Sequence, residues 1–188
     1  MPVITCVLIE GYSEQTKRLL EERLTDAAQS ATGAPWDGIT VMINELPGEN
    51  YMRGRVERIP AIAPEQPADL VRRFLGAMQI RDITAAKTFL SDDFTMTFPG
   101  GATFEDLEQL IAWAKPRYQS VTKAYEQFDE AFDTQGAVVY CFGTLSGLWP
   151  DGTPFDGIRF VDRFRVSDGK LTDQRVWNDM ADARPSAS

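Results

Sequence analysis

Pro60, Pro64 and Pro67 fall within one short run, Ile59-Pro60-Ala61-Ile62-Ala63-Pro64-Glu65-Gln66-Pro67, and no other feature constrains the fold as strongly. Each proline fixes φ and removes a backbone donor, so the run suits neither helix nor central strand and reads as an extended, semi-rigid spacer. The chain of 188 residues is long enough for one large domain or two small ones. The proline run favours two. The sequence predicts a first domain over 1–58, a linker over 59–67, a second domain over 68–181 and a tail over 182–188, ending in Ser186-Ala187-Ser188.

Composition narrows the chemistry. The 43% of hydrophobic residues suffices for a core, and 19 Lys+Arg against 28 Asp+Glu give a net charge of −9. That charge repels phosphate backbones and anionic membrane surfaces, so neither nucleic acid nor membrane is expected as a partner. The absence of histidine excludes Ser-His-Asp and Cys-His catalysis and histidine-ligated zinc. Cys6 and Cys141 follow no metal spacing and sit in apolar runs, where a reduced, buried thiol is the commonest state. No metal and no cofactor are expected. A cytoplasmic setting is, because the apolar run Val3 to Ile9 is too short to span a bilayer and lacks the flanks of a signal peptide.

Upstream of the linker, a strand-like run from Val3 to Ile9 leads through Gly11-Tyr12-Ser13 into a helix, with Ser13 placed to cap it. Leu19, Leu20, Leu24, Ala27, Ala28 and Ala31 recur at helical spacing, and Gly33 with Pro35 supplies the stop. A second strand runs from Ile39 to Ile43. The unit is β-α-β, which makes the strands parallel neighbours. About 60 residues with one helix cannot cover both faces of a sheet, so this half is expected to complete its core against copies of itself or against the second half.

Downstream, Pro67 opens an amphipathic helix through Leu70, Val71, Phe74, Leu75 and Met78, and Ile83 to Leu90 reads as a second. A third is expected from a Thr103 cap through Leu107, Leu110, Ile111 and Trp113 to a stop near Pro116. From Lys123 the period changes to two, in runs around Tyr125–Phe132, Val138–Leu148, Phe155–Val166 and Leu171–Met180, the last three separated by Asp151-Gly152 and Asp168-Gly169. Helices followed by an antiparallel meander read as α+β.

Pro2 opening a β-α-β unit, followed by Asn44-Glu45-Leu46-Pro47-Gly48-Glu49-Asn50-Tyr51-Met52-Arg53-Gly54, resembles the 4-oxalocrotonate tautomerase family over residues 2 to about 58. The resemblance implies that a mature amino-terminal proline shuttles a proton between carbons of an unsaturated keto acid. A secondary amine suits that task, because its pKa, ordinarily ~7.7–8.0, falls easily to where the neutral base is populated. Matched to the family, Pro2 and Tyr51 are the catalytic residues. The two family arginines are replaced by Tyr12 and Thr40. Arg53 and Arg55 could supply the missing anion-binding charge, with Trp36 as a pocket wall, although a solvated patch and an interface aromatic explain these residues equally well. Glu45 and Glu49 are candidate second acids or merely solvated carboxylates. The family also implies self-association as a dimer, trimer or hexamer.

Phe155-Asp156-Gly157-Ile158-Arg159-Phe160-Val161-Asp162-Arg163-Phe164 and the strand ending Val176-Trp177-Asn178-Asp179 resemble the closing hairpin of SnoaL-like polyketide cyclases of the nuclear transport factor two superfamily. Phe89-Leu90-Ser91-Asp92-Asp93-Phe94 likewise looks like that superfamily's second helix running into its first strand. The implied fold is a cone-shaped α+β barrel around a pocket. On strand alternation Asp162 interrupts the apolar row of Ile158, Phe160, Phe164 and Val166. Aligned with the superfamily's ketosteroid isomerases, Asp162 falls where they keep a protonated acid, a case familiar from pKa tuning. Their tyrosine and general base align with Phe74 and Phe98. A structural ion pair with an arginine such as Arg175 is the leading reading for Asp162, and Trp177, Asp179 and Tyr140 are assigned to the pocket or its wall.

Beside a reading that places the chemistry in the second half, at Asp162, two functions compete. One is a tautomerase-like isomerase using mature Pro2 on a small keto or enol acid, joined to a pocket for a small apolar ligand. The other is an inactive tautomerase-fold assembly module carrying a SnoaL-like domain that binds or catalyses.

Overall fold

The computed structural model describes residues 1–184, so the Ser186-Ala187-Ser188 tail lies outside the described residues. The chain clusters into two compact units, Met1–Pro64 and Glu65–Ser188.

In the first unit, strand β1 (Val3–Ile9) leads to helix α1 (Glu14–Thr32) and strand β2 (Thr40–Leu46). The strands pair in parallel, Val3 opposite Thr40 and Ile9 opposite Leu46, as a β-α-β crossover requires. Ser13 caps α1 by accepting the Thr16 N–H at 3.1 Å, and Gly33, at φ 69°, ends it. Alternation divides the sheet. Ile4, Cys6, Leu8, Val41, Ile43 and Glu45 are half-buried, whereas Val3, Val7 and Met42 are exposed. Glu45 accepts a 2.7 Å bond from Lys17 of α1, which identifies the half-buried face as the one the helix covers. Among the described residues Ile9 is the one fully buried apolar side chain of this unit. After β2 comes a two-stranded hairpin, β3 (Met52–Arg53) and β4 (Val56–Glu57), turning through Gly54 and Arg55. Both have positive φ, the pattern of a type I′ turn.

The second unit opens with α2 (Pro67–Gln79) and α3 (Ile83–Lys87), then β5 (Leu90–Phe98), β6 (Ala102–Phe104) and α4 (Leu107–Ala114). Four strands follow, β7 (Ser120–Asp133), β8 (Gly136–Leu148), β9 (Pro154–Ser167) and β10 (Lys170–Asn178), and then a short α5 (Met180–Ala183). They form one six-stranded sheet in the order β6-β5-β10-β9-β8-β7. β7 to β10 are the expected antiparallel meander, and β5 adds to β10 in parallel.

Three local expectations are corrected. The helix expected from Ile83 to Leu90 ends at Lys87, because Phe94 and Met96 alternate with exposed Asp93 and Thr95 and draw Leu90 onward into a strand. Thr103 does not cap α4. It lies in β6, and Asp106 caps the helix by accepting the Glu108 and Gln109 N–H groups at 2.6 and 3.3 Å. Met180 belongs to α5 rather than to the last strand.

Of the register shifts in the sheet, those in β7 and β10 set which side chains face inward around α2. In β7 the register shifts between Tyr125 and Gln127, so Lys123 and Tyr125 point in together with Phe128. Gly143 on β8 permits this close approach, since a Cβ there would stand 2.0 Å from the Ala124 carbonyl oxygen. In β10 the shift between Leu171 and Asp173 turns both Leu171 and Gln174 inward. Helix α2 lies against this inner face, where the Phe74 ring meets Phe94 and Phe164 edge-on at 6.3 and 5.9 Å. Val71, Met96, Leu107, Val139 and Leu171 complete a closed core.

Candidate functional site

In the first unit, Pro2 stands immediately before β1, and its carbonyl accepts the Thr40 N–H at 3.1 Å. Trp36 opens a short 3₁₀ turn (Trp36–Gly38) just before β2, so it belongs to the same end of the parallel pair. Its ring is 58% exposed. The segment carrying Tyr51, Arg53 and Arg55 leaves from the other end, beyond the seven residues of β2, a strand length of roughly 20 Å. Its path stays at that end: the Glu10 N–H bonds the Leu46 carbonyl, and Ala61 N–H reaches the Tyr12 hydroxyl at 3.2 Å. Neither Arg53 nor Arg55 forms an ion pair among the described residues. One copy of the unit therefore separates the sequence-predicted residues into two groups. Of the candidate second acids, Glu45 is engaged by Lys17.

The second unit holds a cavity of about 160 Å3 between α2, α4 and the inner face of the sheet. Phe74 and Phe98, both expected at the pocket, line it as apolar walls. Phe98 is itself backed by Trp113 and Phe104, at ring separations of 5.6 and 6.1 Å. Asp162 is fully buried beneath this surface, at 0% exposure. Its partner is not Arg175. Asp162 faces inward opposite Val176, whereas Arg175 faces outward opposite Arg163 and bonds Asp173. The cation that meets Asp162 is Lys123, whose ammonium donates to Oδ2 and lies over the Phe160 ring, 4.4 Å from its centroid. The other carboxylate oxygen, Oδ1, is buried with no hydrogen-bond partner.

Tyr140 and Trp177 do not reach the cavity. Tyr140 lies between inward Val139 and Cys141, and Trp177 follows inward Val176, so alternation turns both to the outer face, 40% and 51% exposed. Asp179 shares that outer side and pairs with Arg159 at 2.7 Å.

The sequence reading singled out none of the inward polar groups Lys123, Tyr125 and Gln174, nor the exposed Gln79 and Arg81 that also line the cavity. Lys123 had a signal, since it stands alone among Val121, Tyr125 and Phe128 as Asp162 does in its own row. Gln174 had none, because its inward direction depends on the β10 bulge. Burial, with Asp162 nearby, pushes the Tyr125 phenol far above its ordinary value, and burial likewise raises Tyr118, so both rings present neutral O–H groups. The same causes push the Cys141 thiol up to about 12.

The comparisons agree with this division. The tautomerase enzyme family matches residues 2–56, and the SnoaL-like domain family matches residues 71–174. The chain belongs to both families, as an amino-terminal tautomerase domain fused to a carboxy-terminal SnoaL-like domain. A protein of Bacillus cereus named a probable tautomerase is 39% identical over 54 residues, 29% of this chain and 88% of its own. The 2-hydroxymuconate tautomerase of Pseudomonas putida is 39% identical over 51 residues, 27% of this chain and 81% of its own. A nuclear transport factor two-like protein of unknown function from Burkholderia pseudomallei superimposes with a TM-score of 0.54 at 20% identity, covering 62% of this chain and 92% of that one. That likeness shows the fold of the second unit. At family level, tautomerases are oligomeric isomerases, and both families act on small molecules. Among the described residues no helix is long and apolar enough to cross a membrane.

Proposed function

We propose that the chain is an isomerase of small keto or enol acids, in which Pro2, once Met1 is removed, is the general base, and that its SnoaL-like unit binds a small apolar ligand. The observation that carries the first part is the setting of Pro2. It stands at the very start of β1, and the bond from Thr40 to its carbonyl holds the backbone on one side of the amine while the nitrogen itself would become a chain end. Such an amine is fixed in direction and free to take a proton, and a positioned base of this kind is worth about 10²–10⁴-fold in rate.

Tyr51, Arg53 and Arg55 lie at the other end of the β1–β2 pair, so they serve Pro2 only when supplied by a second copy. The exposed apolar face of Val3, Val7 and Met42 supports that association. Arg53 and Arg55, which form no ion pair among the described residues, would hold the acid's carboxylate in place of the arginines that Tyr12 and Thr40 replace, with Trp36 walling the Pro2 end. The cavity that Phe74 and Phe98 line, with largely apolar walls, supports the second part. Both thiols are free, which fits a reducing, cytoplasmic setting. The proposed boundaries are 1–58, 68–181 and the proline linker between them.

The test is turnover of 2-hydroxymuconate by the protein and its Pro2→Ala variant, with the intact mass of each. A wild type lacking Met1 and a loss of at least about 100-fold in kcat/KM for the variant are expected. Activity within a few-fold of wild type, or a retained Met1 in an active protein, would contradict it.

A further inference from the structure

The cavity of the second unit carries an electrostatic selection that an apolar pocket does not need. In a chain of net charge −9, the ionisable side chains that line it are Lys123, Arg81 and two tyrosines, with no carboxylate among them. Arg81 is exposed and forms no ion pair among the described residues. Lys123 is held from behind: Asp162, fully buried and absent from the lining, accepts one of its three donors, which leaves the other two for the cavity. The cavity thus faces the positive end of the Lys123–Asp162 pair.

Gln174 supplies an independent observation. Its side chain is buried at 4% exposure, lines the cavity, and makes no side-chain hydrogen bond among the described residues. The amide is not among the buried polar atoms left without a partner, so its polar atoms open onto the cavity, where a ligand oxygen or water can meet them. The remaining walls are apolar, from Phe74, Leu75, Met78, Phe98, Leu110 and Val121. A cavity of about 150 Å3 with apolar walls holds a benzene ring, and this one is of that size.

We infer that the cavity takes a small apolar organic acid, a single ring or short unsaturated chain, whose carboxylate meets the Lys123 ammonium beside the Gln174 amide. This rests on the reading of the cavity as a ligand site and names the class of ligand. Asp162 acts as a positioning residue, fixing the ammonium without touching the ligand. A carboxylate in the lining would repel such an acid, and none is there.

The experiment is calorimetric titration of the full chain with benzoate and with benzyl alcohol, which has a similar ring and no charge. Wild type should bind benzoate at least about tenfold more tightly, the effect expected of one charge-assisted hydrogen bond. Removing Lys123 alone strands the buried Asp162, so the variant is Lys123→Met with Asp162→Asn, checked for folding by circular dichroism. In it the preference should fall to within about threefold, and Gln174→Leu should weaken benzoate more than benzyl alcohol. Should the double variant not fold, Gln174→Leu and the salt dependence of benzoate binding carry the test. Equal binding of both probes to wild type, or an unchanged preference in the variants, would overturn the assignment while leaving an apolar pocket. Binding of neither would overturn the ligand site itself.

Discussion

The first unit lays one helix across one face of a two-stranded sheet and leaves Val3, Val7 and Met42 in water on the other. The second packs helices α2, α3 and α4 around the core of a six-stranded sheet and closes Phe74, Met96, Leu107, Val139 and Phe164 away from solvent. The difference lies in what each must find elsewhere. With Ile9 as its one fully buried apolar side chain, the first unit is unfinished both as a core and as a site, since Pro2 and Tyr51 depart from opposite ends of the same pair of strands. The second closes a core of its own within one chain. Its polar groups from β7 and β10 converge on one cavity, and Asp162 of β9 backs Lys123 from outside the lining.

The sharpest way to break this comparison is to charge the open sheet face. Val7→Lys should dissociate the assembly, seen as a fall to the mass of one chain in sedimentation at micromolar concentration, and should remove isomerase activity with it. An assembly of unchanged size would mean that the first unit is not completed through this face.

Next in size is the buried pair. Asp162→Asn leaves the Lys123 ammonium without its carboxylate, and such a loss typically costs ~3–5 kcal/mol. Lys123 retains access to the cavity, so a fall of about 3 kcal/mol in urea denaturation is expected. An unchanged midpoint would refute a structural pair.

A smaller effect is expected in alkali. Burial raises the Cys141 thiol from an ordinary value of 9.0 to about 12, and raises the Tyr118 and Tyr125 phenols as well. The unfolded chain loses these protons first. Stability from Cys141 is therefore fully present below pH 9 and is lost as pH rises from 9 toward 12. Cys141→Ala should flatten the fall in thermal midpoint over that window, and an equally steep fall would exclude the thiol as its cause.

The two units also differ in how well the sequence reveals them. Local signals were enough for the first: the Ser13 cap, the Gly33 stop and the alternation of Val3 to Ile9 are each written within a few residues. The odd carboxylate of the second, Asp162, was visible for the same reason, as a break in an apolar row. Its partner was not. An arginine on β10 was expected, but the bulge at Thr172 turns Arg175 and Trp177 outward and Gln174 inward, while Lys123 reaches Asp162 from a strand not adjacent to β9. A one-residue shift in register reverses every later side chain, and nothing in the residues around Thr172 announces it. Tyr140 was misassigned for a simpler reason: its neighbours Val139 and Cys141 already occupied the inner face. The separation of Pro2 from Tyr51 was legible too, because Pro2 precedes the first and Tyr51 follows the second of two parallel strands, which puts them at opposite ends.

The claim on which the whole account turns is that the reactive group of this protein is the amine of Pro2. Incubation with a 3-halopropiolate, followed by intact mass and peptide mapping, tests it directly. The account predicts a protein lacking Met1, one adduct per chain located on the peptide that begins with Pro2, and isomerase activity lost in proportion to labelling. A retained Met1, or an adduct on Cys6 with Pro2 unmodified, would contradict it.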